Sequence, residues 1–377
     1  MLEHRIRNLK QKPVKEKLDA VLICDVSNIT YLTGFSNFSK EEREAYLLIG
    51  EDFQFIITDA RYSEAVKKEV PHFKLYERSH KTPTEKLFKS LKKKIQVLGI
   101  EEDELTITEH KLLKKHFKKT KHFDIKAHRS IKTPEEIKKI EKAAKLGDLA
   151  FKYILKKIKT GITEKQLAYE LEMFIKQNGA ELSFPSIVAF GKNSSIPHHQ
   201  TGDSILGEKN GQFILLDFGV KYQNYCSDMT RTIFFGNPTE KQEKIYKTVL
   251  TAQQKVIDFI NSATGSGKIV KASEVDNIAR DYIISKGYPT IPHSLGHGIG
   301  LEVHEHPSLS PKSKEFLKEG MVFSIEPGIY LKGFGGVRIE DLFCISKTVP
   351  SETKGLYVLE EKGLKQLTKS SKEIIIV

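Results

Sequence analysis

Cysteine is scarce in this chain: Cys24, Cys226 and Cys344 are three isolated thiols with no CxxC pair and no even set. That excludes a disulfide framework and a cysteine-built zinc module, and it fits a reducing compartment. Long apolar runs are missing as well. No stretch approaches the ~20 apolar residues of a membrane span, and the opening MLEHRIRNLKQKPVKEK has no apolar centre of the kind a signal peptide needs. The expectation is a cytoplasmic protein with no membrane partner. Arginine is sparse too. The formal net charge of +12 comes overwhelmingly from lysine, much of it alternating with glutamate on helical faces, and lysine lacks the planar fork with which arginine grips phosphates. The charge therefore reads as a solvated surface, and no nucleic-acid partner is expected.

What the chain does have is enough for two cores. Its 377 residues exceed the usual span of one domain, and 39% of them are hydrophobic. From Ala20 to about Lys126, short apolar runs (AVLIC, AYLLIG, FQFIITD, QVLGIEED) alternate with helical patterns after Arg61, from Pro83 to Lys94 and from Thr108 to Lys119. Residues 1–129 thus read as an α/β domain. A linker at Ser130 to Thr133 leads into residues 130–377. There Thr133 with Glu136, Thr163 with Gln166, Thr239 with Gln242 and Ser273 with Asp276 each mark a helix start, the polar residue capping and the acceptor three positions on returning the bond. Each helix pair is followed by a histidine-bearing segment and an acid-bearing hairpin. The second domain therefore reads as two related α-α-β units facing each other across a sheet, and the whole chain as α+β with a smaller α/β domain in front.

The stretch LLDFGVKYQNYCSDMTRT, residues 215–232, carries two aspartates on apolar strands. With Tyr222 and Gln223 as the turn, equal counting sets Asp217 directly opposite Asp228, their Cβ atoms about 5 Å apart. Two acids so placed repel, and one stays protonated unless a cation lies between them. In MVFSIEPGIYLKGFGGVRIEDLFCI, Glu326 and Glu340 are equidistant from Gly333, so they too are expected to face each other. Between the hairpins, IPHSLGHGIGLEVHEHP brings His293, His297 and His304 among glycines and aliphatics, with Gly296 and Gly298 allowing the backbone at His297 a close approach.

Four carboxylates and an imidazole exceed what one structural zinc needs, and oxygen-rich ligation with one nitrogen suits manganese, cobalt, iron or zinc. Two ions about 3.5 Å apart can share and deprotonate a water and then hold a tetrahedral oxyanion. The reaction class is metal-assisted hydrolysis. His198, ahead of the first hairpin as His297 is ahead of the second, and His304 are placed to hydrogen-bond a scissile carbonyl or its oxyanion. Arg338 shares a strand face with Glu340 and can hold a ligating carboxylate.

Together these residues resemble the creatinase, aminopeptidase P, prolidase and methionine aminopeptidase family, whose catalytic domain has the pita-bread fold. The matching strings are IPHH (196–199), LLDFG (215–219), SDMTRT (227–232), GHGIGLEVHE (296–305), IEPGIY (325–330) and GGVRIED (335–341). The resemblance implies that Asp217, Asp228, His297, Glu326 and Glu340 ligate two divalent ions, with Asp228 and Glu340 bridging, and that Glu326 also moves a proton. It implies substrate-contacting and intermediate-stabilising roles for His198 and His304, a pocket-lining role for His293, and support from Arg338 and Tyr330. DVSNITYLTGF and TDARY (58–62) look like the family's creatinase-type N-terminal domain, which points to the branch that cleaves before proline and, since that domain often reaches a neighbouring subunit's cleft, to a homodimer. The expectation is an Xaa-Pro aminopeptidase acting on proline-containing peptides, with manganese as the metal and cobalt or zinc as substitutes. The alternatives are an Xaa-Pro dipeptidase (prolidase) and a non-catalytic peptide-binding module on the same fold.

Overall fold

Helix starts follow the capping signals at three of the four expected places. Thr133, Thr163 and Thr239 each accept from the backbone three residues on and receive the reciprocal side-chain bond, opening helices Pro134–Ile154, Glu164–Gln177 and Glu240–Gly265. The fourth expectation fails. Helix Ala272–Ser285 begins at Lys271 with no side-chain cap, because the Asp276 carboxylate is taken by Arg280 at 2.8 and 2.9 Å and by the Leu295 N–H at 3.1 Å.

The computed structural model describes residues 2–346, 350–353, 356–359 and 363–377. By its contacts the chain divides into Met1–His128 and Arg129–Val377. In the first unit a six-stranded sheet runs in the order Lys74–Glu77, Gln54–Thr58, Tyr46–Gly50, Ala20–Ile23, Val97–Ile100, Lys119–His122. Ala20–Ile23 pairs antiparallel with one neighbour and parallel with the other, so the sheet is mixed. Helix Ile107–His116 stops short of the expected Lys119, where the last strand begins, but Leu113 and Phe117 are buried as its apolar stripe requires.

The second unit repeats one plan twice. Helices Pro134–Ile154 and Glu164–Gln177 cover a three-stranded sheet, Ile187–Phe190, Gln212–Phe218 and Met229–Phe235, through a core that includes Phe151, Leu167, Leu171, Ile214, Leu216 and Ile233. Helices Glu240–Gly265 and Ala272–Ser285 cover a five-stranded sheet in the order Glu305–Leu309, Gly296–Gly298, Val322–Ile325, Asp341–Ile345, Leu364–Gln366, around Val249, Val256, Ala279, Phe323 and Phe343. The fold class is α+β. The two halves meet where Met229–Phe235 runs alongside residues 338–340: the Glu340 N–H donates to the Thr230 carbonyl at 3.1 Å, and Thr232 Oγ1 exchanges bonds with the Arg338 backbone at 3.1 Å each. Among the described residues no helix is long and apolar enough to cross a membrane.

Candidate metal centre

The first hairpin does not keep the expected register. Phe218 pairs with Met229 and Asp217 with Thr230, and nearer the tip Tyr222 pairs with Tyr225. The turn is therefore Gln223-Asn224, both at positive φ (47° and 70°), the conformation that a two-residue hairpin loop demands and asparagine tolerates. Asp217 is not directly opposite Asp228. Continuing the count puts Asp228 opposite Gly219, a displacement of two residues, and because strand side chains alternate with period two both acids still address one face.

Equal counting does hold in the second hairpin. Ile325 pairs with Asp341 and Gly328 with Arg338, so the same register sets Glu326 opposite Glu340. The reversal is at Gly333, φ +77°, where the Phe334 N–H closes onto the Leu331 carbonyl at 2.9 Å.

His297 comes in on the short strand Gly296–Gly298, between Glu305–Leu309 and Val322–Ile325. A Cβ at Gly296 would lie 2.0 Å from the Ser324 carbonyl oxygen, and one at Gly298 would lie 2.1 Å from that of His306. These glycines are thus required by the neighbouring backbone, rather than by whatever the imidazole contacts. The ring donates Nδ1–H to the Gly298 carbonyl at 3.1 Å, which leaves the Nε2 lone pair facing Glu326 Oε1 at 3.3 Å and Asp228 Oδ2 at 3.7 Å. A lone pair aimed at carboxylate oxygens is repulsive in every protonation state but one with a proton or a cation between them.

A proton on the imidazole is disfavoured. Burial, with the neighbouring His304, lowers the His297 pKa to about 4. The carboxylates feel the same deficit of positive charge. Burial and then Glu340, Asp217 and Glu326 push Asp228 well above the usual range, burial and Glu340 do the same to Glu326, and burial and Asp217 raise Glu340 to about 7. Asp228 Oδ1 and Glu340 Oε1 are buried with no hydrogen-bond partner. Asp228, His297 and Glu340 each offer a ligand atom, all within 4.8 Å of one another. Orphaned carboxylate oxygens converging on a neutral imidazole nitrogen are what a hard-to-borderline divalent cation satisfies. The donor set fits such an ion.

Around this cluster runs a hydrogen-bonded frame. Arg338 donates Nη2 to Asp217 Oδ2 at 2.5 Å, Nη1 to the Tyr330 hydroxyl at 2.9 Å and Nε to Thr230 Oγ1 at 2.9 Å. Thr230 Oγ1 in turn donates to Glu340 Oε2 at 2.7 Å. Burial still outweighs the Arg338 charge at Asp217, whose pKa is raised. His293 donates Nδ1–H to the Ser294 carbonyl at 2.7 Å and accepts from Tyr330 at 2.9 Å, a neutral ring whose pKa burial lowers to about 4, beside a phenol raised to about 12. His304 stacks edge-on to His297 with ring centroids 4.4 Å apart. His198 is exposed, near enough to Asp217 and His304 that a proton on it would lower the pKa of both.

All ten candidate residues are thus gathered, seven by direct side-chain contact, Glu340 through Thr230 and within 4.8 Å of Asp228 and His297, His304 by its ring and His198 at the rim. Three that sequence reasoning missed belong with them. Thr230 joins Arg338 to Glu340, and Ser324 Oγ accepts the His297 N–H at 3.0 Å and donates to Glu326 Oε1 at 3.2 Å. Glu164, fully buried, holds His199 Nε2 at 2.9 Å and the backbone N–H of Phe190 and Gly202, and so folds the segment that carries His198. The place of Thr230 two residues past Asp228, on the same strand face, and the alternation of polar with apolar residues in FSIE were the available signals for the first two.

Residues 138–347 match the model of metallopeptidase family M24, and residues 5–133 that of the creatinase/prolidase N-terminal domain. The chain belongs to metallopeptidase family M24. Within it the chain falls in the Xaa-Pro peptidase branch with the pita-bread fold. An Xaa-Pro dipeptidase from Pyrococcus horikoshii is 35% identical over 388 residues, covering 100% of this chain and 99% of that one. The solved structure of an Xaa-Pro dipeptidase from Bacillus anthracis superposes with a TM-score of 0.87 at 34% identity and 100% coverage of both chains. That of an X-Pro aminopeptidase from Thermotoga maritima gives 0.81 at 32% identity, covering 99% of this chain and 100% of that one. Metallopeptidases of this family work with divalent metal ions.

Proposed function

We propose that this protein is an Xaa-Pro dipeptidase, hydrolysing the bond between a first residue and a C-terminal proline, with residues 130–377 as the catalytic domain. The observation that carries a metal-dependent reading is the His297 Nε2 lone pair facing Asp228 and Glu326, beside the orphaned oxygens of Asp228 and Glu340. In this reading Asp217, Asp228, His297, Glu326 and Glu340 hold two divalent ions, manganese first, with cobalt or zinc able to substitute. When bound, such ions supply Lewis-acid activation of water and of the scissile carbonyl.

The chain's own groups do the rest. Glu326, as the carboxylate, accepts a proton from the attacking water on one oxygen and passes it to the proline nitrogen as the carbon–nitrogen bond breaks, releasing the first amino acid and proline. His304, whose pKa is lowered by partial desolvation and by the nearby His198, donates an N–H to the developing oxyanion, and His198 contacts the substrate carbonyl. His293 and Tyr330 line the substrate pocket, their relative orientation fixed by the 2.9 Å bond between them. Arg338 holds Asp217 and Tyr330 in one planar fork.

The family resemblance placed the aminopeptidase first. The Pyrococcus horikoshii and Bacillus anthracis relatives, both Xaa-Pro dipeptidases by name, favour the dipeptidase, and the order is reversed here. The aminopeptidase remains the second reading on the strength of the Thermotoga maritima neighbour. The protein is further proposed to be a cytoplasmic homodimer without a nucleic-acid partner. Metal-stripped protein with manganese, cobalt or zinc added back is assayed for proline release from Gly-Pro and glycine release from Gly-Pro-Gly-Gly. Metal-dependent cleavage of Gly-Pro alone supports the dipeptidase, cleavage of the longer peptide makes it an aminopeptidase, and no cleavage with any metal leaves the binding-module alternative.

A further inference from the structure

The loop that carries His304 is built around a buried carboxylate. The Glu305 side chain is 4% exposed and receives the Arg129 guanidinium on Oε1 and the Lys132 ammonium on Oε2 at 3.0 Å, both cationic side chains being equally hidden at 3% and 1%. Its Oε1 also accepts the Glu302 N–H at 3.1 Å, and Glu302 Oε2 returns to Arg129 at 2.8 Å. Gly300 leaves the room this requires, since a Cβ there would lie 2.6 Å from Glu305 Oε2. Burial alone would raise the Glu305 carboxyl, but Lys132 and then Arg129 outweigh it and hold the pKa at about 2.

The cations themselves are anchored. The Lys132 N–H donates to the Gly320 carbonyl at 2.9 Å, and Ile131 bridges to Met321, one residue before the strand Val322–Ile325 that leads to Glu326. On the other side, the Gly300 carbonyl accepts the Cys226 N–H at 2.7 Å, two residues before Asp228. The loop 300–305 is thus tied to the backbone leading to two of the candidate ligands, and it carries His304, an exposed residue whose ring meets His297 edge-on. Compared with apolar residues of equal volume, a buried ion cluster adds little net stability. What it adds is direction, because a carboxylate held by two cations and a backbone amide has one orientation.

We propose that Arg129 and Lys132 are positioning residues for hydrolysis: by clamping Glu305 they fix residues 300–305 and so set the His304 ring against the metal centre. This rests on the reading of His304 as an oxyanion donor. The test is a double-mutant cycle of Arg129→Gln and His304→Ala in the full chain, with kcat and KM measured for Gly-Pro in manganese and amide exchange at 300–305 measured in the metal-free protein. Arg129→Gln is expected to lower kcat about 10- to 100-fold with KM within about twofold, and to add less than about twofold in the His304→Ala background, because both changes remove the same interaction. Amide exchange at 300–305 is expected to rise at least about tenfold. Losses that multiply would make Arg129 merely structural and overturn the proposal, as would unchanged exchange. A silent His304→Ala would instead overturn the reading of His304, with the exchange measurement still deciding the clamp. Lys132→Met, which leaves the Arg129 pair in place, carries the same test where Arg129→Gln does not fold.

Discussion

Glu340→Gln should make the metal-free protein more stable, and the margin should grow with pH. Glu340 is buried; its Oε2 accepts from Thr230, its Oε1 is unpartnered, and its pKa is raised from 4.5 to about 7. A carboxyl raised on folding contributes stability that is fully present below 4.5 and is lost as pH rises through about 7, since the folded chain then gives up a proton it had been holding. The 2.5-unit difference between 7 and 4.5, at about 1.4 kcal/mol per pH unit, corresponds to a loss of about 3 kcal/mol by pH 8. Glutamine is isosteric, can accept from Thr230 through its oxygen, and offers an N–H to the acceptors that Oε1 repels. Wild type and Glu340→Gln, both stripped of metal, should therefore unfold at nearly the same denaturant concentration at pH 4.5, and the variant should lead by about 3 kcal/mol at pH 8. The chain has no tryptophan, so unfolding is followed by circular dichroism or tyrosine emission. Adding manganese at pH 8 should reverse the order, because only wild type gains the linkage free energy of the bound ions. A metal-free variant less stable than wild type at pH 8 would refute the idea that these carboxylates await a cation.

Other perturbations separate the frame from the centre. His304→Ala should keep its metal and lose about 10²- to 10³-fold in kcat on Gly-Pro, the range for removing one oxyanion donor; a variant as active as wild type would remove that role. Arg338→Lys replaces a fork that reaches Asp217, Tyr330 and Thr230 at once with a point charge that cannot. Manganese affinity, read by calorimetry, should fall about 10- to 100-fold, and unchanged affinity would deny the guanidinium its hold on the ligand. Arg231→Met breaks a buried pair with Asp341 at 2.6 Å and frees the Glu340, Ser370 and Ser371 carbonyls. Asp341 keeps Thr368, Gln253 and Lys372, so the cost should lie at the lower end of the range for such breaks, about 3 kcal/mol by denaturant unfolding. A loss under about 1 kcal/mol would mean that the C-terminal segment is held by other contacts.

Local chemistry was legible where neighbours in sequence are neighbours in space. The three threonine capping boxes could be read directly, and so could the register around Gly333, because a single glycine at positive φ fixes where the chain reverses. The first hairpin misled by one position at its tip. Gln223 and Asn224 both take positive φ, a preference plain for asparagine but not for glutamine. The error left the site intact because a displacement of two residues keeps every side chain on its face. Ser273 failed as a cap since Asp276 is committed to Arg280 and Leu295, partners that only the fold brings within reach. Arg129 with Glu305 and Arg231 with Asp341 are separated by more than a hundred residues, so no local pattern announces them, and the strand face of Arg338 pointed to a ligating carboxylate without singling out Asp217.

The most direct measurement is the manganese stoichiometry of metal-stripped wild type and Asp228→Asn at pH 8, by titration calorimetry with metal analysis after dialysis. Two ions per chain are expected in wild type. In Asp228→Asn, which removes a carboxylate within 3.7 Å of His297 Nε2 while leaving a folded protein by circular dichroism, no more than one weakly held ion is expected. Two ions bound with unchanged affinity by Asp228→Asn, or none bound by wild type, would contradict the assignment of these carboxylates as a metal centre.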